Sequence, residues 1–253
     1  MKIIKLLYSE DAVSEVVDFV TILGILVFFI GIIGVAGYPM VKNAQDANNI
    51  ENTKQSFIVL AANINKIVLG QTPSQSVELK VYGGTLSVNG SSTINITAID
   101  STGNNVTLVY TTQMRSIEST VGNTVIAYEG TGVWAKYPGG NTLLVSKPLI
   151  TNRSNVLVIP VVTMLGTSSI GGYGISRVTA SGAPGVILYR NVSNITVNIS
   201  SSYWNGWKTY FGNVMFWQYC ISSESSGSCT VKLATTNNID VYILNIQLNT
   251  GIV

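Results

Sequence analysis

The chain contains no histidine. Histidine is the side chain that most often changes charge near neutral pH, and it is the commonest protein ligand for metal ions. Its absence excludes Ser-His-Asp and Cys-His catalysis. We therefore expect no enzyme of these classes, and we predict no catalytic residues, no metal site and no cofactor. A hydrolase that uses two carboxylates from Glu78, Glu118, Glu129 and Glu224 stays open, because nothing in the sequence singles out a pair.

Charged residues are also scarce. They make up 10% of the 253 residues, and the net charge is +2. Soluble domains typically carry about 25% charged residues. There is no basic cluster and no acidic tail, so we expect no nucleic-acid partner. Asp100 and Asp240 stand alone in the sequence, so nothing predicts a calcium site.

What the sequence does contain is one long apolar run. Residues 16–38 read VVDFVTILGILVFFIGIIGVAGY, with Asp18 as their single charge. A helix needs about 20 apolar residues to span the core of a bilayer, whereas the apolar part of a secretory signal peptide has about 7–15. We therefore predict a retained transmembrane helix over residues 16–38. A cleaved signal peptide and a buried core helix are the alternatives.

The basic residues around this run indicate its orientation. Lys2 and Lys5 precede the run, and the next basic residue is Lys42. Positively charged flanks tend to stay in the cytoplasm. We therefore predict a single-pass membrane protein, with residues 1–15 as a cytoplasmic leader and the C-terminal domain outside the cell.

A second helical segment follows the apolar run. Pro39 is expected to kink or restart the helix, and residues 39–70 are predicted to form an amphipathic extension that ends at Gly70. The apolar stripe of this extension recurs at three- and four-residue spacing and consists of Phe57, Leu60, Ala61, Ile64, Ile67 and Val68. The stripe either supports assembly with neighbouring copies or packs against the chain's own domain.

From residue 71 the apolar residues recur at every second position. About a dozen short strands with Gly, Asn and Ser turns are typical of an all-β sandwich or barrel. One strand is predicted over residues 76–82 and stops at Gly83-Gly84, and the glycine-rich segment 166–174 is predicted to be a loop or bulge. We therefore predict an α+β chain, in which a long N-terminal helix precedes an antiparallel, sandwich-like domain over residues 71–253.

One short helix is predicted among the strands. Aromatic residues of segment 202–211 fall on one helical face, and these are Tyr203, Trp204, Trp207, Tyr210 and Phe211. Gly206 in the middle of this segment is unfavourable for a helix by about 1 kcal/mol. We interpret the aromatic stripe as core packing between a helix and a sheet. A platform for a sugar or another ligand is the alternative.

Two kinds of covalent modification are predicted for an exported domain. Cys220 and Cys229 each flank a strand, and a disulfide between them would close a short loop; two reduced, buried thiols are the alternative. The N-x-S/T sequons predict N-glycosylation at Asn89, Asn95, Asn105, Asn152, Asn191, Asn194 and Asn198. The last three crowd one segment, so we do not expect all of them to be occupied.

The order of these features resembles a known family. A short basic leader, the sequence A-V-S-E-V-V at residues 12–17, an apolar helix and a β-rich domain are similar to archaeal type IV pilin-like surface proteins. Further segments resemble an uncharacterised archaeal pilin-like family, and these are residues 55–61, 76–84, 128–134 and 203–211. The likeness therefore extends over nearly the whole chain, through short motifs.

The resemblance implies processing and docking roles for a few residues. In type IV pilins a membrane peptidase cuts before the apolar helix, which then forms the core of a filament, and a glutamate five residues after the cut helps docking. Carried over to this chain, a cut between Glu10 and Asp11 would place Glu15 at the docking position. Glu10 departs from the family pattern, which has a small or basic residue before the cut.

Small residues within the apolar run favour the same kind of assembly. Gly24, Gly31 and Gly34 would let helices approach closely in lipid. We therefore expect a non-enzymatic structural protein, a pilin-like subunit that forms a homo-oligomer or filament in the membrane through its N-terminal helix. The alternative is a singly anchored surface glycoprotein or adhesin, acting as a binding module for an unknown ligand.

Overall fold

The computed structural model describes residues 10–111, 113–215, 218–219, 227–235 and 237–253. The chain divides into two compact units, Met1–Asn48 and Asn49–Val253. Helix α1 (Glu10–Val68) contributes to both units, and the described strands all belong to the second. The predicted α+β architecture, a long N-terminal helix followed by a β-rich domain, is confirmed.

Helix α1 contains both the apolar run and the predicted amphipathic extension. It passes through Pro39 as one helix, so of the kink or restart expected at this residue, the restart does not occur. A proline removes a single i→i−4 hydrogen bond, and the turns on either side retain theirs.

The helix terminates at Gly70, as predicted. Gly70 has a φ of 70°, and its N–H donates to the carbonyl of Ile67 at 2.9 Å. The N–H of Gln71 donates to the carbonyl of Lys66 at 2.8 Å. This pair of bonds is the Schellman motif, in which a residue with positive φ ends the helix and satisfies its last carbonyls.

Fourteen strands and two short helical segments make up the rest of the described chain. The strands are β1 (Ser74–Asn89), β2 (Thr93–Ile99), β3 (Asn105–Thr111), β4 (Ser116–Val121), β5 (Thr124–Glu129), β6 (Gly132–Lys136), β7 (Thr142–Ser146), β8 (Thr151–Arg153), β9 (Val156–Leu165), β10 (Ser168–Ser181), β11 (Pro184–Ser200), β12 (Gln218–Tyr219), β13 (Ser228–Leu233) and β14 (Ile239–Ile252). Helix α2 (Trp204–Thr209) runs directly into a π-helical turn at Tyr210–Val214. The predicted short helix is therefore confirmed.

The strands form two sheets that share strand β11. The main sheet contains β1, β4 to β10 and β14, and the second sheet contains β2, β3, β12 and β13. Pairing is antiparallel throughout, except that β9 runs parallel to β14. The first half of β11 pairs with β14 and its second half pairs with β2 and β13.

Strand β11 changes sheets at an irregular corner. Its register shifts between Tyr189 and Val192 against β14, and between Ser193 and Thr196 against β2. Two residues at this corner, Asn191 and Asn194, have positive φ values of 54° and 48°. Asparagine tolerates this conformation better than most residues, and strands commonly pass between packed sheets at bulges or bends of this kind.

Two glycine-rich segments form strands that the sequence did not predict there. Strand β1 does not stop at Gly83-Gly84 but continues through them with a shift of register against β10. A Cβ on Gly84 would lie 1.7 Å from the carbonyl oxygen of Thr120, so the close approach of β4 requires glycine there. Segment 166–174 is not a loop from Ser168 onward, where strand β10 pairs with β1, but the irregularity of that pairing falls between Gly171 and Tyr173, as the bulge alternative of the prediction expects.

Each face of the main sheet is covered by a different layer. On one face, the apolar stripe of α1 packs against the sheet, and Phe57, Leu60, Ile64 and Ile67 are at most 1% exposed. On the other face, the second sheet and helix α2 enclose a separate core. The stripe of the extension is therefore used within the chain's own domain, which is the second of the two expectations given for it.

Helix α2 lies close against the main sheet. A Cβ on Gly206 would lie 2.7 Å from a ring carbon of Trp134 and 2.8 Å from the methyl group of Thr142. The glycine that is unfavourable for an isolated helix is thus required by packing. Trp207, Tyr210 and Phe211 are buried in the same core, so the interpretation of the aromatic stripe as core packing is confirmed.

Candidate functional site

The first functional feature is the apolar surface of helix α1 in the first unit. Every large apolar side chain from Val16 to Val41 is exposed. The helix reaches a mean hydropathy of 2.8, and none of that apolar stretch is buried. Within the described residues it is the one helix long and apolar enough to cross a membrane. By length and composition it is compatible with a single-pass membrane protein.

The predicted assembly residues lie on this helix. Gly24, Gly31 and Gly34 have no other group within 4 Å of the position of a Cβ. Residues three, four and seven apart share one side of a helix, so these three glycines form a strip of small residues. Glu10, Asp11 and Glu15 also lie within α1. Residues 1–9 lie outside the described part, and cleavage of the leader stays a prediction.

The second feature is a buried carboxylate at the end of strand β5. Glu129 is 0% exposed. Its Oε2 accepts a hydrogen bond from Ser92 Oγ at 2.6 Å, and its Oε1 accepts from Ser201 Oγ at 2.7 Å and from Trp207 Nε1 at 2.9 Å. Short bonds of this kind to a carboxylate are about twice as strong as those between neutral groups. Both carboxylate oxygens are therefore held by donors from three separate segments.

Burial is the main influence on the acidity of Glu129. It raises the pKa of this carboxyl above the usual 4.5, and the nearby Glu118 carboxylate acts in the same direction. The three hydrogen bonds oppose this shift, because they favour the charged form. Glu129 therefore takes up a proton at a higher pH than an exposed glutamate does.

Glu118 lies close to Glu129 and, like it, accepts a hydrogen bond from an aromatic residue of segment 202–211. Its Oε1 accepts hydrogen bonds from Ser116 Oγ at 2.6 Å and from the Tyr203 hydroxyl at 2.8 Å. Burial, followed by the charge of Glu118, raises the pKa of Tyr203 well above its usual range. Tyr203 therefore stays a hydrogen-bond donor across the physiological range of pH.

The sequence offered four carboxylates as possible members of a hydrolytic pair. The fold brings two of them, Glu118 and Glu129, close together. Of the other two, Glu78 lies at the surface and pairs with Arg177 at 2.9 Å, and Glu224 lies outside the described residues. Glu129 is sealed from solvent, and donors occupy both of its oxygens. This arrangement suits a carboxylate that fixes the groups around it.

The turn after Glu129 is shaped by its contacts. Gly130 and Thr131 have positive φ values of 56° and 69°, and a Cβ on Gly130 would lie 2.6 Å from the ring of Trp207. The Thr131 hydroxyl accepts from the N–H of Leu149 at 2.9 Å. The Nε1 of Trp134 donates to the main-chain carbonyl of Glu129 at 3.1 Å. The turn is therefore held by contacts to helix α2, to strand β6 and to the segment that precedes β8.

An open cleft of about 350 Å³ lies beside this network. Its lining consists of Ser91, Ser92, Lys136, Ser200, Ser201, Ser202, Trp204 and Gly227. Ser92 and Ser201, which donate to Glu129, are each 7% exposed and belong to this lining. The buried carboxylate thus fixes the side chains of two residues that line a polar cavity.

Sequence reasoning did not identify this site. Its one local signal was an acidic residue followed by glycine inside a long apolar stretch, at Glu129-Gly130. An ionised side chain in such a stretch needs hydrogen-bonding partners when it is buried. Those partners come from segments that are distant in the sequence.

The predicted covalent sites have mixed outcomes. Cys229 is buried and forms no disulfide within the described residues, and burial raises its pKa to about 11. Cys220 lies outside the described residues, so the disulfide stays a prediction. Five of the sequon asparagines are exposed, namely Asn89, Asn105, Asn152, Asn191 and Asn198, whereas Asn95 and Asn194 are half-buried.

Comparison with known proteins places the chain in a family. The model of a family of unknown function, DUF7289, matches residues 12–249, which include the apolar helix and nearly all of the strands. The chain belongs to DUF7289. An uncharacterised protein of Archaeoglobus fulgidus is 30% identical over 82 residues, which cover 32% of this DUF7289 chain. The chain spans only 27% of the length of that relative. No solved structure matches the DUF7289 chain.

Proposed function

We propose that this DUF7289 protein is a non-enzymatic structural protein of the archaeal cell surface, a type IV pilin-like subunit that assembles through its N-terminal helix. The observation that carries the proposal is the exposed apolar surface from Val16 to Val41. Apolar surface in water costs about 25 cal/mol per Å². A surface of this size therefore needs lipid or neighbouring helices to cover it.

The second unit supports the proposal because its apolar stripe is already covered. Phe57, Leu60, Ile64 and Ile67 pack on the main sheet, so the β-rich domain does not depend on the apolar run for its core. This leaves residues 16–41 to serve an external contact. The strip of Gly24, Gly31 and Gly34 gives that contact a side on which two helices can approach closely.

The assembly can be tested with the full-length protein in detergent. We expect wild type to sediment as an oligomer, and a variant with Gly31→Leu and Gly34→Leu to sediment as a smaller species. Ala36→Leu is a matched control, because Ala36 is exposed and lies about 140° around the helix from Gly31 and about 160° from Gly34. Unchanged far-UV circular dichroism would show that the β-rich domain remains folded. A monomer in all three cases would contradict the proposal.

The alternative is a singly anchored surface glycoprotein that acts as a binding module. It predicts a monomer in detergent and a mature protein that begins at Met1. The pilin-like proposal predicts a mature protein that begins near Asp11, with Glu15 pairing to the new amino terminus of a neighbouring chain. Mass spectrometry of the mature N-terminus distinguishes these outcomes. Protease treatment of intact cells tests the proposed exterior location of the β-rich domain.

A further inference from the structure

We propose that the serine-lined cleft beside Glu129 binds an acidic saccharide, a sugar that carries a carboxylate or a sulfate. The cleft has a volume of about 350 Å³, within the range of about 300–1,000 Å³ that is usual for small-molecule sites. All of its lining residues belong to the second unit. The inference therefore concerns a different part of the molecule from the proposed assembly surface.

The first argument is the kind of polar group that lines the cleft. Ser91, Ser92, Ser200, Ser201 and Ser202 all contribute to its wall. Each serine hydroxyl has one donor and two acceptor positions. A sugar presents several hydroxyl groups with the same mixed capacity, so a wall of hydroxyls can satisfy it without a large apolar contact.

The second argument is that two of these hydroxyls are fixed in advance. Ser92 Oγ and Ser201 Oγ direct their protons to opposite oxygens of Glu129, at 2.6 and 2.7 Å. Their protons are thus committed to the carboxylate, and their remaining lone pairs are acceptors. One lone pair of Ser201 Oγ is taken by the N–H of Tyr203 at 2.9 Å. A ligand hydroxyl that donates into the cleft would meet acceptors whose orientation is already set, which lowers the entropic cost of binding.

The third argument is charge. Among the described residues that line the cleft, Lys136 is basic and none is acidic. Lys208 Nζ lies 5.9 Å from the centre of the Trp204 ring, another part of the lining. Glu129 is sealed beneath the serines. The charge carried by the described lining is therefore positive, and it favours an anionic ligand.

The fourth argument is the aromatic ring. Trp204 is the one residue of the aromatic stripe that lines the cleft, and it is half-buried while Trp207, Tyr210 and Phe211 lie in the core. An indole presents a large apolar face beside its polar edge. Such a face can contact the C–H groups of a sugar ring while the serines meet its hydroxyls.

The test is calorimetric titration of the full-length protein in detergent. The acidic probes are hyaluronan tetrasaccharide, tetragalacturonate and chondroitin-6-sulfate disaccharide, and the neutral probe is chitotetraose. We expect at least one acidic probe to bind, and chitotetraose to bind at least tenfold more weakly. Lys136→Gln and Trp204→Ala should each weaken binding at least tenfold. Trp204→Phe, which keeps an aromatic ring, should retain part of the affinity.

Lys80→Gln is the matched control, because Lys80 is an exposed lysine of strand β1 outside the cleft. It should leave binding unchanged, and far-UV circular dichroism should be the same for all variants. Failure of all three acidic probes to bind would overturn the proposal, as would equal binding of chitotetraose or affinity that Lys136→Gln does not change. Sedimentation reports on assembly independently, so the two proposals can fail separately.

Discussion

Tyr128 on strand β5 donates its phenolic hydrogen to Asn65 Oδ1 on helix α1, at 2.9 Å. Asn65 in turn donates through Nδ2 to the carbonyl of Thr131 at 3.2 Å. Glu129, the residue after Tyr128, accepts a hydrogen bond from Trp207 on the opposite side of the main sheet. Successive side chains of a strand point to opposite faces. Two adjacent residues of one strand therefore tie the sheet to the layers on both of its sides.

Tyr128→Phe tests the link to the helix. Removal of the hydroxyl leaves Asn65 Oδ1 without its donor, and we expect the free energy of unfolding to fall by about 1–2 kcal/mol. Tyr110→Phe is the control, because Tyr110 is 66% exposed and its hydroxyl can bond to water. Urea denaturation of the full-length protein measures both. An equal loss of unfolding free energy in the two variants would show that the buried hydrogen bond of Tyr128 contributes no more to stability than the exposed hydroxyl of Tyr110.

Gly130→Ala tests the close approach of the turn to Trp207. Gly122 has nearly the same φ, 57° against 56°, but no group within 4 Å of its Cβ position. Gly122→Ala is therefore the matched control. Each substitution should lower the free energy of unfolding by about 1–2 kcal/mol, because alanine disfavours the left-handed conformation. Gly130→Ala should incur about 1–3 kcal/mol more, because the new methyl group overlaps the Trp207 ring. Equal changes in the free energy of unfolding would contradict the close approach.

The parts of the fold that the sequence predicted are those with a strong local pattern. The apolar run, the stripe that includes Phe57 and Leu60, and the helix end at Gly70 each follow from spacing or from a single residue type. The strand break predicted at Gly83-Gly84 failed for a different reason. Whether a glycine pair ends a strand or forms a bulge depends on the neighbouring strand, here β4 at Thr120.

The site around Glu129 was not predictable in the same way. Its partners Ser92, Ser201 and Trp207 are separated from it by 37, 72 and 78 residues. None of them belongs to a short motif, and they meet only once the two sheets and α2 have packed. The surface that covers the apolar stripe of α1 was likewise not predictable, because amphipathic spacing indicates a buried face without indicating what buries it.

Glycan occupancy should follow the exposure of each sequon in the folded domain. Asn95 is half-buried, its Oδ1 is enclosed without a hydrogen-bond partner, and it lies directly opposite Asn198 on the adjacent strand. A glycan on Asn95 would therefore disturb the sheet. We expect glycans among the exposed sites Asn89, Asn105, Asn152, Asn191 and Asn198, and none on Asn95. Glycopeptide mass spectrometry of the native protein checks this, and occupancy of Asn95 at the level of Asn152 would contradict it.

Glu129 should give the stability of the protein a distinct dependence on pH. Burial raises the pKa of this carboxyl in the folded protein above the usual 4.5, to which it returns on unfolding. Between these two values the folded protein holds a proton that the unfolded chain has released. The contribution of Glu129 to the free energy of unfolding therefore increases as the pH falls through this window, and it decreases as the pH rises through the folded pKa.

Glu129→Gln removes this titration and tests it directly. The difference in free energy of unfolding, wild type minus Glu129→Gln, should rise as the pH is lowered from 8 to about 4.5. It should then level off at lower pH. Two other carboxylates, Glu51 and Asp100, have lowered pKa values and act in the opposite direction. They are common to both proteins, so their effects cancel in the difference. Glu78→Gln is the surface control, since Glu78 is 59% exposed. A wild-type curve that stays parallel to that of Glu129→Gln over the whole range would show that the buried carboxyl does not titrate with a raised pKa.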